Sequence, residues 1–265
     1  MTVPPSPATP SPPAPATRRA RRARARAGWL GLAIALVLGG VFSLWPGLDL
    51  WTSAQFRDGS GGFVGDRIGW VRFLYWAMPR IGWTYFIGAL AVLALGRRWP
   101  ARVPFRWRRR AGSLALVSAI GSWFVINALL KEHWGRARPR DVVELVASAP
   151  HHFSLALVPT DQCLHNCSFT SGHAASGFVI MAVGLMGSVA TRRRWLAIGL
   201  VMGAFASAGR ILQGGHFLSD TLFAGVVIWA TGWIVREVWL RRVALRRKRL
   251  REAAGEANAG SGLKT

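Results

Sequence analysis

The chain has 265 residues, of which 51% are hydrophobic, with 14 tryptophans and a net charge of +23 at neutral pH. A soluble domain of this size would alternate apolar and polar residues, whereas this sequence contains several nearly uncharged runs of about 20 residues, enough to cross ~30 Å of hydrocarbon. The composition excludes an ordinary soluble protein and predicts a membrane protein.

The amino-terminal segment, residues 1–28, is rich in proline and then in arginine. Such a composition does not bury an apolar core, so we expect a disordered tail. The apolar run from Ala27 to Leu48 lacks a small-residue cleavage pattern, which predicts a retained helix and not a cleaved signal peptide. The basic segment 241–265 is expected to form a second disordered tail.

Between these tails, residues 29–240 are predicted to form one all-α transmembrane domain. The second of its helices is interrupted by Pro79 and Arg80. We keep it as a span because without it the basic segments would fall on the wrong sides of the membrane. Six transmembrane helices are predicted, each near the required length, at residues 29–48, 73–96, 111–130, 172–191, 195–213 and 217–235.

The basic residues are concentrated on one side of this predicted bundle. Residues 18–26, 97–110, 192–194 and 236–264 together hold 25 of the 34 lysines and arginines but only three acids. Loops enriched in Lys and Arg remain in the cytoplasm, so both termini are predicted to be cytoplasmic and the opposite face periplasmic, in a bacterial inner membrane. Because topology accounts for the charge, a nucleic-acid partner is not expected.

Three polar stretches fall on the opposite side, where charged groups at membrane depth are costly and usually functional. The first is KEHWGRARP, residues 131–139. Lys131 and Arg138 are seven residues apart, so a continued helix would place both on one face, and two cations there suit an oxyanion. The alternative is an interfacial basic cluster that reaches toward the head groups.

The second stretch is CSFTSGH, residues 167–173. Ser171 and Gly172 at the start of a helix offer a hydroxyl and free backbone N–H groups to an anion. His173, in the first turn, would face that anion. The alternative is a capped helix start with an interfacial histidine.

The third stretch is GRILQGGHFLSD, residues 209–220. His216 and Asp220 are four residues apart and are neighbours on one helix face. A carboxylate beside an imidazole orients the ring and stabilises its positive charge. Arg210 precedes this pair across Gly214-Gly215.

Together the three stretches supply three cations, two imidazoles and one carboxylate. They contain neither a carboxylate cluster nor the spaced histidines of a metal site. The chemistry that fits is metal-free phosphoryl transfer through a covalent histidine, without a cofactor.

In order, spacing and placement between spans, the stretches resemble the three motifs of the type 2 phosphatidic acid phosphatase superfamily. K-x6-RP lies at Lys131–Pro139, SGH at Ser171–His173, and R-x5-H-x3-D at Arg210–Asp220. The resemblance covers about residues 111–235. Two positions differ from the usual family pattern, with Thr170 in place of proline and Gly209 in place of serine.

This resemblance implies a role for each matching residue. His216 would be the nucleophile that becomes phosphohistidine, with Asp220 orienting it. His173 would protonate the leaving oxygen and then activate water. It also implies six membrane helices with an outward-facing site. The phosphate oxygens would be held by Lys131, Arg138, Ser171, Gly172 and Arg210.

The loop before the second motif bears on the substrate. The form C-x3-C-SF-x-SGH, which ends at His173, is similar to bacterial lipid A phosphatases of the superfamily. The apolar FSLALVP before it is expected to lie at the interface as a wall for a lipid head group. A lipid A phosphatase is predicted, with undecaprenyl pyrophosphate, phosphatidylglycerophosphate and phosphatidic acid as alternative substrates. A lipid phosphotransferase and a non-enzymatic transporter or scaffold are the alternative functions.

The chain has two cysteines, Cys163 and Cys167, both in this outer loop. An oxidising compartment favours a disulfide between them. The alternative is a zinc site that adds His165 and either His151 or His152. The sequence leaves the oligomeric state open.

Reporter fusions after residue 104 and after residue 160 should lie on opposite sides of the membrane, cytoplasmic and periplasmic respectively. The reason is the concentration of basic residues in the segments assigned to the cytoplasm. Paired alkaline phosphatase and green fluorescent protein fusions measure this. The same side for both positions would show that the second or third span is wrong.

Overall fold

A computed structural model describes the chain from residue 15 to residue 261, with side chains for residues 22, 23 and 25–254. The ends of the two predicted tails, residues 1–14 and 262–265, lie outside the described residues. Over residues 15–261 the fold is all-helical, and no strand occurs there.

Eight α-helices are joined by short turns and one long loop, and two of them continue into other helix types. The α-helices are α1 Pro15–Leu44, α2 Gly47–Ala54, α3 Gly69–Arg98, α4 Phe105–Val117, α5 Lys131–His133, α6 Gly172–Phe178, α7 Val189–Leu212 and α8 Leu218–Ser261. A π-helix, Ser118–Leu130, joins α4 to α5, and a 3-10 helix, Val179–Gly184, extends α6. Two further 3-10 turns are Val64–Arg67 and Pro139–Asp141.

Five helices in the described part of the chain are long and apolar enough to cross a membrane, whereas the sequence predicts six spans. The predicted fourth span, residues 172–191, corresponds to a shorter apolar helix, Gly172–Gly184, which at about 20 Å does not match a 30 Å hydrocarbon layer. The five long helices are Ala25–Leu44, Gly69–Arg98, Phe105–His133, Val189–Leu212 and Leu218–Ala254.

The fourth helix is short because the next one begins early. Ser188 is the N-cap of α7, and its side chain accepts a hydrogen bond from the Thr191 backbone N–H at 3.2 Å. The chain turns at Gly184 to Ser188, inside the predicted span. Hydrophobicity alone does not reveal this turn because apolar residues lie on both sides of it.

Both predicted tails are helical where the structure describes them, in contrast to the disorder expected from composition. Residues 15–28 belong to α1, and α8 continues through residues 241–261. Arginine, alanine and leucine favour helix, and each segment extends a helix that has already formed, so it does not bear the cost of nucleation.

Small residues allow the helices around the site to approach closely. A Cβ on Gly177 of α6 would lie 2.6 Å from the carbonyl oxygen of Met202 in α7. Phe178 beside it belongs to a buried core with Val117, Ile126 and Ile228. This packing joins α6 and α7 into a hairpin, in which α6 is held against the π-helix and α8 and the 3-10 helix after it is held against α4.

Candidate active site

The three polar stretches meet at one end of the bundle, where backbone hydrogen bonds join them. The bonds run from Cys167 N–H to Lys131 O at 2.9 Å, from Ser168 N–H to Arg136 O at 2.9 Å, from Ser171 N–H to Asp220 O at 3.2 Å, and from Arg140 N–H to Gly214 O at 3.1 Å. The segment that leads into α6 is thus bonded to both of the other stretches. These bonds bring together predicted site residues that belong to three separate segments of the chain.

Lys131 and Arg138 converge through a turn and not along a continued helix as the sequence predicts. The helix ends at His133, and Gly135 adopts a φ of +73°. A Cβ on Gly135 would lie 1.5 Å from the carbonyl oxygen of Thr160, so only glycine fits there. The positive φ of Gly135 and its close approach to the Thr160 backbone are therefore incompatible with a continued helix.

His216 lies in the turn between α7 and α8 and is 1% exposed. Its Nδ1 is 2.7 Å from the carbonyl oxygen of Ser168. A carbonyl oxygen only accepts hydrogen bonds, so Nδ1 carries the proton. The lone pair of the neutral ring is therefore on Nε2.

Asp220 lies beside His216 but makes no direct hydrogen bond to its ring. Its Oδ2 is 3.9 Å from His216 Nδ1, and it accepts hydrogen bonds from Ser168 Oγ at 2.5 Å and Phe217 N–H at 2.8 Å. The predicted direct pair assumes that both residues are helical, but α8 begins at Leu218. Asp220 is therefore also linked to His216 through Ser168, whose hydroxyl donates to the carboxylate and whose carbonyl accepts from the imidazole.

Arg136 is a site residue that the sequence analysis missed. It is fully buried, and its guanidinium donates to Asp220 Oδ1 at 2.6 Å and to Asp49 Oδ2 at 2.9 Å. Asp49 also accepts from the backbone N–H of Ser219 at 2.9 Å. Arg136 lies within the first motif, but its distinction from Arg138 depends on burial, which the sequence does not show.

The charges around the site favour a neutral His216. Burial lowers the pKa of His216 well below its usual range, and the positive charges of Arg210, Lys131 and Arg138 act in the same direction. For Arg136, burial alone would lower the pKa, but Asp220 and Asp49 more than offset it and raise the pKa. The site thus combines a buried imidazole whose pKa is lowered with a cluster of three cations, Lys131, Arg138 and Arg210.

Arg210 has a hydrogen-bond donor available for such an anion. Its Nη1 donates to Gln213 Oε1 at 2.6 Å, whereas its buried Nε has no partner among the described residues. A Cβ on Gly215 would lie 2.1 Å from Nη2 of Arg210, so glycine at this position admits the guanidinium. An oxyanion bound here would satisfy the buried N–H.

Ser171 and His173 lie at the start of α6, as the sequence predicts. The Ser171 side chain caps the helix by accepting from the Ala174 N–H. His173 Nε2 is 3.1 Å from the carbonyl oxygen of Tyr75, and the two rings stack at 5.1 Å. Tyr75 belongs to α3 and is a second residue that sequence reasoning missed.

A disulfide joins Cys163 to Cys167 in the long loop. It uses both thiols that the alternative zinc site would require. The part of the chain with described side chains contains no group of three or more His, Cys, Asp or Glu arranged for a metal ion.

The apolar segment of the same loop packs against the site. Phe153 lies edge-on to Phe217, with the ring centroids 5.3 Å apart.

Two cavities adjoin these residues. The first, about 630 Å³, is mainly apolar and extends from Lys131 and His173 to Trp83 and Trp123. These two tryptophans are more than half exposed on the outer surface of the helical bundle. The second, about 550 Å³, contains Arg138 and more polar side chains of the long loop. The cation cluster thus lies between an apolar and a polar compartment.

Comparison with known proteins assigns this arrangement to a family. Residues 111–244, about half of the chain, match the family model of the PAP2 superfamily. The chain belongs to the PAP2 superfamily. It is accordingly a membrane phosphatase, a phosphoric monoester hydrolase, and the matched region contains all three motifs.

Several PAP2 relatives share a name. The Lipid A 4'-phosphatase of Francisella tularensis subsp. novicida is 30% identical over 218 residues, which cover 80% of this chain and 96% of that protein. The protein of the same name from Rhizobium leguminosarum is 26% identical, covering 74% of this chain and 87% of that protein. In Rhizobium etli the identity is 35% over 38% of each chain. No solved structure matches this chain.

Replacing Arg136 with methionine should lower the free energy of unfolding by about 3–5 kcal/mol, because Asp49 and Asp220 would remain buried without a cation. The same substitution at Arg140, four residues away and about half exposed, should change it by less than about 1 kcal/mol. Denaturant unfolding in detergent measures both. Equal stability of the two variants would contradict the assignment of Arg136 as the buried bridge.

Proposed function

We propose that this PAP2 phosphatase removes a phosphate from lipid A through a phosphohistidine intermediate on His216. The observation that carries the proposal is the buried His216, whose Nδ1 is 2.7 Å from the Ser168 carbonyl oxygen and whose pKa is lowered by burial and by the charges of Arg210, Lys131 and Arg138. The names of the relatives, Lipid A 4'-phosphatase, support lipid A as the substrate.

In the first step, His216 Nε2 attacks phosphorus, and the bond to the lipid oxygen breaks. Lys131, Arg138 and Arg210 neutralise the charge on the phosphate oxygens, and Ser171 with the Gly172 amide completes the binding set. His173 donates its proton to the leaving lipid oxygen. The positive charge that forms on His216 is opposed by Asp220 at 3.9 Å and by the Ser168 carbonyl.

In the second step, His173 accepts a proton from water, whose oxygen attacks the phosphohistidine. The phosphorus–nitrogen bond breaks, and phosphate leaves with His216 neutral again. The same histidine thus acts first as acid and then as base. Both steps use positioning and charge neutralisation supplied by residues of the three motifs.

The two compartments beside the cations support a lipid substrate. The apolar cavity that reaches Trp83 and Trp123 would receive acyl chains from the surrounding lipid. The polar cavity, which includes Arg138, Arg140 and Gln162, would receive a hydrophilic head group. A large glycolipid phosphate has both parts.

The cellular placement is also part of the proposal. The distribution of basic residues supports cytoplasmic termini and a site that faces the periplasm, in a bacterial inner membrane. The site end of the bundle lies opposite the basic segments 97–110 and 192–194. A lipid phosphate in the outer leaflet would then reach the site by lateral diffusion.

His216→Ala should reduce phosphate release from lipid A to background, because alanine cannot form the proposed phosphoramidate bond. Wild-type enzyme quenched during turnover should carry acid-labile, base-stable phosphate, as expected of phosphohistidine, and His216→Ala should carry none. Phosphate release assays and phosphoamino-acid analysis measure these outcomes. His133→Ala, at an exposed position, is the matched control and should retain activity. An active, folded His216→Ala variant would refute the mechanism.

Ala119→Trp should lower kcat/KM for lipid A at least about tenfold, because the indole would fill part of the apolar cavity that Ala119 lines. The rate with 4-nitrophenyl phosphate, which has no acyl chain, should change by less than about threefold. Ala128→Trp on the same helix, exposed and outside the cavity lining, is the control. Mass spectrometry of the lipid identifies the phosphate removed. Equal losses on both substrates would contradict a lipid-binding role of the cavity.

A further inference from the structure

Helix α3 contains a proline one turn after Tyr75. In an α-helix the N–H of each residue donates to the carbonyl oxygen four residues earlier. Pro79, in the interior of α3, has no N–H. The carbonyl oxygen of Tyr75 therefore has no partner in its own helix and is available to another group.

That partner is His173, whose Nε2 lies 3.1 Å from the Tyr75 oxygen. Since a carbonyl oxygen only accepts, Nε2 must carry a proton. The remaining ring nitrogen, Nδ1, is then the one available to exchange a proton with substrate. A proline in one helix thus fixes the tautomer of a histidine in another.

The Tyr75 ring strengthens this connection. It stacks on the His173 ring with an interplanar angle of 12°. The Arg210 guanidinium lies 4.9 Å from the centroid of the same tyrosine ring. Helix α3 is held close to α6, because a Cβ on Gly82 would lie 2.8 Å from Ser176 Oγ. Tyr75 is therefore in contact with both the second and the third motif.

We propose that the free carbonyl of Tyr75, created by Pro79, is the positioning element that orients His173 for proton transfer at Nδ1. The inference rests on the proposed function, since it concerns how His173 performs its part of the reaction. Tyr75 and Pro79 lie outside residues 111–244, which match the family model. The orientation of this histidine thus depends on a helix that the family model does not cover.

The proton movements balance through Nδ1. Burial and the charge of Arg210 lower the pKa of His173 to about 3, and the negative charge of a bound phosphate opposes this shift and favours the protonated ring. When His216 attacks phosphorus and the lipid oxygen leaves, protonated His173 gives its Nδ1 proton to that oxygen and becomes neutral with Nε2–H retained. When water attacks the phosphohistidine, Nδ1 takes the proton from water. Nε2–H remains bonded to Tyr75 throughout, so the ring keeps its orientation.

Pro79→Ala tests this proposal because alanine restores the N–H that bonds the Tyr75 carbonyl within α3. We expect kcat/KM to fall about tenfold for dodecyl phosphate, whose alkoxide requires protonation, and less than about twofold for 4-dodecyl-2-nitrophenyl phosphate, whose leaving group does not. Both substrates carry the same alkyl chain, so a change in the cavity that Pro79 lines would affect them equally. Pro104→Ala is the matched control at the N-cap of α4 and should change neither rate. His173→Ala should show the same preference with larger losses.

Equal losses on both substrates in Pro79→Ala, with a selective loss in His173→Ala, would overturn the positioning proposal alone. Equal losses in His173→Ala would overturn the proton-donor role on which it rests. A second measurement is independent of activity and of the variant's folding. In ¹⁵N spectra of histidine-labelled wild-type protein, assigned with His173→Ala, neutral His173 should be the Nε2–H tautomer, and an Nδ1–H tautomer would refute the proposal.

Discussion

The guanidinium of Arg136 is buried between Asp49 and Asp220, and the geometry of the site depends on this contact. Asp49 comes from α2, Arg136 from the turn after α5 and Asp220 from the start of α8, so one cation joins three distant parts of the chain. Asp220 then holds Ser168, and Ser168 holds His216. A buried charge is tolerated only when it is paired, which makes the correct assembly of these segments a condition for stable burial.

The same charge arrangement separates two functions. Arg136 is neutralised by two carboxylates, whereas among the residues with described side chains Lys131, Arg138 and Arg210 form no ion pair within 4 Å. The first cation stabilises the structure, and the other three leave a positive field for a phosphate. His216 lies between these groups, and burial together with that field lowers its pKa, which suits the proposed nucleophilic role. Binding of a phosphate would compensate the excess charge and satisfy the buried Nε of Arg210.

Helix α3 shows how a residue unfavourable for local structure is retained at a site. Pro79 costs the helix a hydrogen bond, and the free carbonyl one turn earlier becomes an acceptor for His173. The same turn lines the apolar cavity through Pro79 and Gly82. Orientation of the imidazole and the shape of the lipid compartment are therefore linked in a single helical turn.

The sequence by itself determined the membrane class, the all-α fold, the three motifs and their common end of the bundle, because apolar length and motif spacing are local properties. Tertiary structure decided what depends on distant contacts. His216 and Asp220 lie 3.9 Å apart and are linked by hydrogen bonds through Ser168, because α8 begins after His216. Arg136 differs from Arg138 only in what surrounds it, and Tyr75 acquires its role only when α3 packs against α6. The short fourth helix was set by the N-cap at Ser188, a hydrogen bond that hydrophobicity does not report.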